Sequence, residues 1–95
     1  MNVLDEAMNI FNLNLKSFDL KSFTNKRSYL CATDNKNLLF VYTGKARFVT
    51  KDALFLDNLA NNFKLKHKFF FTKNALCSKA KLYLKEKGFD IYVAL

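Results

Sequence analysis

The sequence contains no proline and no tryptophan, and its only glycines are Gly44 and Gly88. Turns must therefore be built mainly by Asn, Asp, Ser and Thr, whose short polar side chains bond to the nearby backbone. Long hydrophobic runs are also missing. The longest spans about five residues, far short of the roughly 20 that a membrane-spanning helix needs. No membrane association is expected.

Cysteine and histidine are equally scarce, with Cys31, Cys77 and His67 the only ones present. They do not have the spacing of a four-ligand zinc site, and the sequence predicts no metal or cofactor. The two cysteines stand far apart in apolar surroundings, which predicts buried, unreactive thiols in a reducing compartment. Asp5 and Glu6 stand where an export signal would carry basic and then apolar residues. A cytoplasmic location follows as the expectation.

Acidic residues are few, and the net charge is +8. Residues 1–63 hold 8 basic and 6 acidic side chains, a balance of +2. Residues 64–95 hold 8 lysines against Glu86 and Asp90, a balance of +6. Such an asymmetric basic surface suits a polyanion, although a lysine-rich face can also serve solubility alone. Arginine is limited to Arg27 and Arg47, which argues against extensive base-specific readout.

What remains is a sequence with clear periodicity over 95 residues, the size of a single domain. Apolar residues at three- and four-residue spacing predict helices over 3–11, 51–63 and 73–87. Compact apolar or alternating runs predict strands over 29–33, 38–42, 69–71 and 89–95. Residues 12–27 fit either a short strand or an irregular segment. The fold class is therefore α/β: a small mixed sheet with an N-terminal helix, a β-hairpin and a C-terminal βαβαβ run.

Several local signals refine this prediction. The turn Asp34–Asn37 closes the hairpin, and Gly44 permits a positive φ angle just after its second strand. Residues 47–50 are expected to continue that strand. Thr50 is a candidate N-cap for the second helix, and Gly88 ends the third helix as its C′ residue. The continuous apolar runs predict that strand 38–43 is central, between strands 29–33 and 69–72, whereas the alternating strands suit more exposed positions.

Two stretches and the element order resemble the PD-(D/E)xK, or restriction-endonuclease-like, nuclease fold. "YLCATDNKNLLFVYTGKARF" is similar to the hairpin of the Holliday-junction-resolvase-like members, in which an Asp begins the first strand and the second ends in Glu-x-Lys. "FFFTKNALCSKAKLYLKEKGFDIY" resembles the strand-helix-strand of Mrr-type restriction enzymes, with Thr72, Ala80 and Gly88 at the matching positions. Glu6 lies where the family often carries a helical Glu. The resemblance implies a nuclease-like fold.

The resemblance fails at the catalytic residues. The family's Asp position falls on Tyr29, its Glu position on Tyr42 and its Lys position on Gly44. A one-residue bulge moves the latter two to Thr43 and Lys45. Neither alignment supplies the two acids that would hold a divalent cation. No catalytic residue is therefore assigned.

These observations predict a non-catalytic nuclease-like domain that binds DNA or RNA through a lysine-rich face. The candidate contacts are Lys45, Arg47, Lys64, Lys66, Lys68, Lys73, Lys79, Lys81 and Lys85. Phe69 to Phe71 interleave with these lysines, but their continuous apolar run favours a core role over base stacking.

Two alternatives remain open. The first is a protein-interaction or assembly module, a homo-oligomer or a subunit of a larger complex, because Leu54 and Leu82 point away from the apolar helix faces. The second is a metal-dependent nuclease in which Asp34, Glu6 and Lys45 converge. His67 is expected to face solvent between its two lysine neighbours.

Overall fold

The computed structural model describes residues 2–94, and within them five strands and three α-helices form a three-layer α/β arrangement. In chain order the elements are α1 (Val3–Phe11), β1 (Lys16–Phe18), a short 3-10 helix (Leu20–Ser22), β2 (Tyr29–Thr33), β3 (Asn37–Tyr42), α2 (Thr50–Ala60), β4 (His67–Thr72), α3 (Ser78–Glu86) and β5 (Phe89–Val93). The α/β class and the mixed sheet expected from the sequence are confirmed. Leu95, which the sequence placed at the end of the last strand, lies outside the described residues.

The sheet has the strand order β1-β2-β3-β4-β5. Strands β1, β2 and β3 pair antiparallel, whereas β3, β4 and β5 pair parallel. Strand β3 is therefore central, between β2 and β4, as its continuous apolar run predicts. The side chains from Leu38 to Val41 are fully buried, since both faces of β3 are covered by helices.

The connections explain which helix covers which face. From β3 to β4 and from β4 to β5 the chain moves in one direction across the sheet, and right-handed crossovers then place α2 and α3 on the same face. Phe40 and Phe70 point into the core beneath these two helices. Helix α1 covers the opposite face, where Ala7 packs with Leu39 and Phe71.

Two expected element boundaries were wrong, and one contact explains both. The Phe48 N–H donates to the Ala75 carbonyl at 3.0 Å, and the Cys77 N–H donates to the Phe48 carbonyl at 2.9 Å. Because the segment before Ser78 is extended and paired in this way, α3 begins at Ser78 and not at Lys73. Residues 47–50 likewise do not continue β3, since Phe48 pairs with the segment before α3.

The helix ends follow local chemistry. The Asn2 side chain caps α1 by accepting from the Asp5 N–H at 2.9 Å. Thr50 is not the N-cap of α2: Val49 holds that position, and its N–H donates to the Asp52 carboxylate at 2.9 Å. Gly88 has φ +87° just after α3, which confirms it as a C′ glycine.

Residues 12–27 contain both of the structures that the sequence left open. Strand β1 pairs with β2, and the 3-10 helix then leads back across the end of the sheet. The prediction that strand 29–33 is relatively exposed was wrong, because β1 covers its outer edge. Cys31 and Ala32, which pair with β1, are buried. Tyr29, beyond the end of β1, is buried against Tyr42 and Phe55. None of the helices within residues 2–94 has the length and apolar character needed to cross a membrane.

Candidate nucleic-acid interface

The loops at one edge of the sheet form the best candidate for a ligand site. Tyr42 at the end of β3 lies beside Thr72 at the end of β4, and Thr72 lies beside Val93 on β5. Tyr29, the first residue of β2, pairs with Tyr42 at the same edge. We call this the carboxyl edge, since the parallel strands end there. In open α/β sheets ligands bind outside these strand ends where the strand order reverses. This sheet, ordered β1 to β5, has no such reversal, so any site here is built by the loops.

Hydrogen bonds join the loops of the carboxyl edge to one another. Besides the pairing of Phe48 with the segment before α3, the Thr43 N–H donates to the Ser28 carbonyl at 2.7 Å. The Asn74 side-chain amide donates to the Gly44 carbonyl, and its backbone N–H donates to the Thr72 hydroxyl at 3.0 Å. The loops after β3 and β4 therefore form one connected surface.

Glycine is required at position 44 because there is no room for a side chain. Its backbone lies outside the left-handed region, so the expected positive φ angle is not observed. Instead, the Tyr42 ring folds over it, and a Cβ at Gly44 would overlap the ring. The Tyr42 hydroxyl donates to the Ala46 carbonyl at 3.0 Å and closes the turn.

Basic side chains from separate parts of the chain meet at the carboxyl edge. The loop after β3 supplies Lys45 and Arg47, and Lys73 directly follows β4. Further exposed positive charge comes from the start of each adjoining element: Arg27 before β2, Lys51 in the first turn of α2 and Lys79 in the first turn of α3. An open pocket of about 410 Å³ lies here, lined by Val3, Tyr42, Thr43, Gly44, Lys45, Lys73 and Asn74.

Two carboxylates lie at this surface: Asp52 in the first turn of α2, which accepts the Val49 N–H, and Glu6 on α1. The Lys73 Nζ lies 2.8 Å from the Glu6 Oε1 on α1. Both side chains are partly exposed, so the pair stabilises the fold little. It does place a negative charge beside the pocket, which opposes the binding of an anion there.

The remaining predicted contacts lie elsewhere. Lys64 and Lys66 are at the opposite end of the sheet, which we call the hairpin edge: the turn 34–36, the segment 64–67 and the residues beside them. Lys81 and Lys85 are exposed on α3 between the two edges. Lys68 is held within the protein, with its side chain 14% exposed, its Nζ 4.0 Å from Asp57 and 4.8 Å from the centre of the Phe89 ring. The single lysine face expected from the sequence is thus divided.

The positions that match the nuclease acids hold two buried phenols. The rings of Tyr29 and Tyr42 are in contact, with centroids 5.4 Å apart. Burial, together with the nearby Asp52 carboxylate, raises the pKa of both hydroxyls, so both stay neutral at physiological pH. The tyrosines therefore bring no negative charge to the carboxyl edge.

The residues required by the enzymatic alternative do not converge. Asp34 lies in the turn between β2 and β3, where its carboxylate accepts the backbone N–H groups of Lys36 and Asn37. Lys45 follows the other end of β3, about 17 Å away along a six-residue strand. Within residues 2–94 no group of three His, Cys, Asp or Glu side chains is placed to hold a metal ion.

The two cysteines differ, against the expectation that both are buried and inert. Cys31 is buried in the sheet, and burial raises the pKa of its thiol to about 12. Cys77 is half-buried at the N-cap of α3. The N–H groups of Ala80 and Lys79, and then the Arg47 cation, lower the pKa of its thiol.

Sequence reasoning missed Arg27 and Lys51 at the carboxyl edge. The position of Arg27 could have been predicted, because a hairpin between 29–33 and 38–42 necessarily places the start of its first strand beside the end of its second strand. Lys51 would have followed from placing the second helix directly after the β3 loop.

We expect the two cysteines to differ in alkylation. Iodoacetamide should label Cys77 in the folded protein with a rate whose pH midpoint lies below the usual value of about 8.5 for a thiol. Cys31 should be labelled only after unfolding. Because Arg47→Gln removes the nearby cation, it should move the Cys77 midpoint upward. Peptide mass spectrometry separates the two sites, and equal labelling of both in the folded protein would contradict this assignment.

Gly44→Ala should destabilise the protein by about 1–3 kcal/mol, since the added methyl group must displace the Tyr42 ring. Urea unfolding measures this change. In a Tyr42→Leu background the same substitution should cost clearly less, because the overlapping ring is gone. Equal costs in both backgrounds would show that the ring contact does not set the requirement for glycine.

No protein-family model matches the chain, and no curated protein and no solved structure matches it. The functional assignment of the carboxyl edge therefore depends on the chain's own geometry and charge.

Proposed function

We propose that this protein is a nuclease-like domain without the catalytic carboxylates, which binds nucleic acid through the carboxyl edge. The observation that carries the proposal is the meeting, at one edge, of both arginines with Lys45, Lys51, Lys73 and Lys79. The βαβαβ order and the resemblance in the hairpin support the nuclease-like assignment.

The carboxyl edge suits phosphate groups for two physical reasons. Helices α2 and α3 both begin there. The Asp52 carboxylate already occupies the N-terminus of α2, whereas the first turn of α3 holds no acidic residue, so the positive end of the α3 dipole adds to the lysine and arginine charges. The hydrogen bonds between the loops also fix the backbone that carries Lys45, Arg47 and Lys73, so little order has to be gained on binding.

Tyr29 and Tyr42 account for phosphate binding at this edge without a metal ion. In a metal-dependent nuclease the carboxylates repel the phosphates until a divalent cation neutralises them. Here Tyr29 and Tyr42 replace them with neutral phenols. Nucleic acid can then approach the basic side chains directly, and binding is expected to be salt-dependent and mostly independent of sequence.

Lys45→Ala should weaken binding to a labelled DNA duplex and reduce the slope of log K against log salt by about 1, as one phosphate contact is lost. Fluorescence anisotropy between about 50 mM and about 200 mM salt would measure both quantities. Lys87→Ala removes the same charge at the C-terminal end of α3, away from the carboxyl edge, and should leave the duplex slope unchanged. Absence of duplex binding by the wild type at low salt would refute the proposed function.

Glu6→Gln provides a control of opposite sign. It releases Lys73 from its ion pair and removes a negative charge from the pocket, so duplex binding should tighten. Glu86→Gln changes the net charge equally near the far end of α3 and should have a smaller effect. If the two variants tighten binding equally, net charge and not the carboxyl edge determines affinity.

A protein-interaction module is the second candidate, favoured by two exposed leucines on the outer helices. Leu54 on α2 is 45% exposed and Leu82 on α3 is 60% exposed. If this surface mediates self-association, light scattering should detect an oligomer that Leu82→Lys dissociates. A wild-type monomer at high concentration would contradict self-association.

A further inference from the structure

The clearest unassigned surface feature is a group of three phenylalanines beside the outer strand β1. The rings of Phe18 and Phe23 have centroids 6.0 Å apart and planes within 12° of parallel. Phe63 meets both nearly edge-on, at 5.1 Å from Phe18 and 5.6 Å from Phe23. Phe63 also contacts the buried Phe40. We call Phe18, Phe23 and Phe63 the aromatic cluster.

This cluster is anchored from below and open to solvent above. Phe18 is 37% exposed and Phe23 is 42% exposed, whereas Phe63 is half-buried against the core. Two nearly parallel rings that are supported by a third differ from an apolar side chain left at the surface by chance. They offer flat, oriented aromatic area at little cost in side-chain order.

Two lysines adjoin the aromatic cluster, and one of them connects it to further positive charge at the hairpin edge. Lys16 lies on the same face of β1 as Phe18, two residues before it, and pairs with Thr33 at the end of β2. Lys64 directly follows Phe63, and it lines an open pocket of about 250 Å³ together with Lys36, Lys66 and His67 at the hairpin edge.

The nearby carboxylates are already bonded to the backbone. Asp19 accepts the Lys21 N–H at 2.9 Å, and Asp34 accepts the N–H groups of its turn. Asp34 still carries its negative charge beside Lys36, whereas Lys16, Lys64 and Lys66 form no ion pair within residues 2–94.

Flat rings beside a row of cations suit one ligand class in particular. Unpaired bases stack on aromatic side chains, while the phosphates of the same strand contact lysines. A duplex hides its bases inside the stack and cannot use the rings in this way. A purely apolar protein partner would use the rings but would leave the lysines unpaired.

We propose that the aromatic cluster and the hairpin-edge lysines form a binding site for single-stranded nucleic acid. Bases stack on Phe18 and Phe23, and phosphates contact Lys16, Lys36, Lys64 and Lys66. This site goes beyond the proposed function, since it lies away from the carboxyl edge. It gives Lys64 and Lys66 a role different from that of Lys45.

Phe23→Leu tests the site because leucine keeps the surface apolar but removes the aromatic face. Anisotropy titrations would use three probes of equal length: an oligothymidylate of about 16 nucleotides, the same backbone without bases, and a duplex. The oligothymidylate should bind Phe23→Leu about tenfold more weakly than the wild type. The duplex and the abasic strand should bind the two proteins equally.

Two further variants separate stacking from charge. Lys64→Ala should weaken the binding of the oligothymidylate and of the abasic strand to a similar degree, because a phosphate contact does not depend on the base. Leu82→Ala removes an exposed apolar side chain on α3 and should change none of the three affinities. Thermal unfolding of each variant verifies that it is folded before titration.

The outcomes are distinct. The stacking site is refuted if Phe23→Leu binds the oligothymidylate as tightly as the wild type does. It is also refuted if this substitution weakens binding of the abasic strand as much as binding of the oligothymidylate. If the wild type binds no duplex but binds the oligothymidylate in a manner that requires Phe23, the carboxyl-edge proposal fails and the single-strand site stands.

Discussion

Strand β3 carries four consecutive fully buried side chains, from Leu38 to Val41. A strand of this kind must be covered on both faces, and it must be paired on both sides to satisfy its backbone groups. In this protein β2 pairs with it antiparallel and β4 parallel. The change from antiparallel to parallel pairing at β3 is the constraint on which the surface of the molecule depends.

That pairing determines where the loops go. The parallel half sends the loops after β3 and β4 to one edge, and the antiparallel half brings the start of β2 to the same edge. The segment containing Phe48 then pairs with the segment before α3 and joins the loops. Residues as distant in sequence as Arg27 and Lys79 thereby reach a common surface. The positive charge at the carboxyl edge is a consequence of topology more than of local clustering in the sequence.

The same topology separates residues that are close together in the sequence. Three lysines that are close in the sequence lie in different places. Lys66 is at the hairpin edge, Lys68 is held within the fold, and Lys73 is at the carboxyl edge. Phe70 and Phe71 are fully buried, and Phe69 is partly buried on the same side of the core as Phe71, in agreement with the expected core role. The exposed aromatic rings come instead from Phe18 and Phe23, in the segment whose conformation the sequence left open. The positive charge is therefore divided between two separate edges of the sheet, and the exposed rings lie beside β1.

The sequence by itself determined the first helix and the order of the elements from β2 onward, because the long apolar periodicities, the apolar run of β3 and the glycine after α3 are local signals. It also determined that the paired strand ends carry two phenols, Tyr29 and Tyr42, since both residues are read directly from the chain. Tertiary structure alone decided that Phe48 pairs with the segment before α3, which sets the start of that helix at Ser78, and that the Tyr42 ring fills the space beside Gly44. It also decided which lysines share an edge and that Lys68 is held beside Asp57. These features depend on contacts between residues distant in the chain, and such contacts form only when the sheet brings the strand ends together.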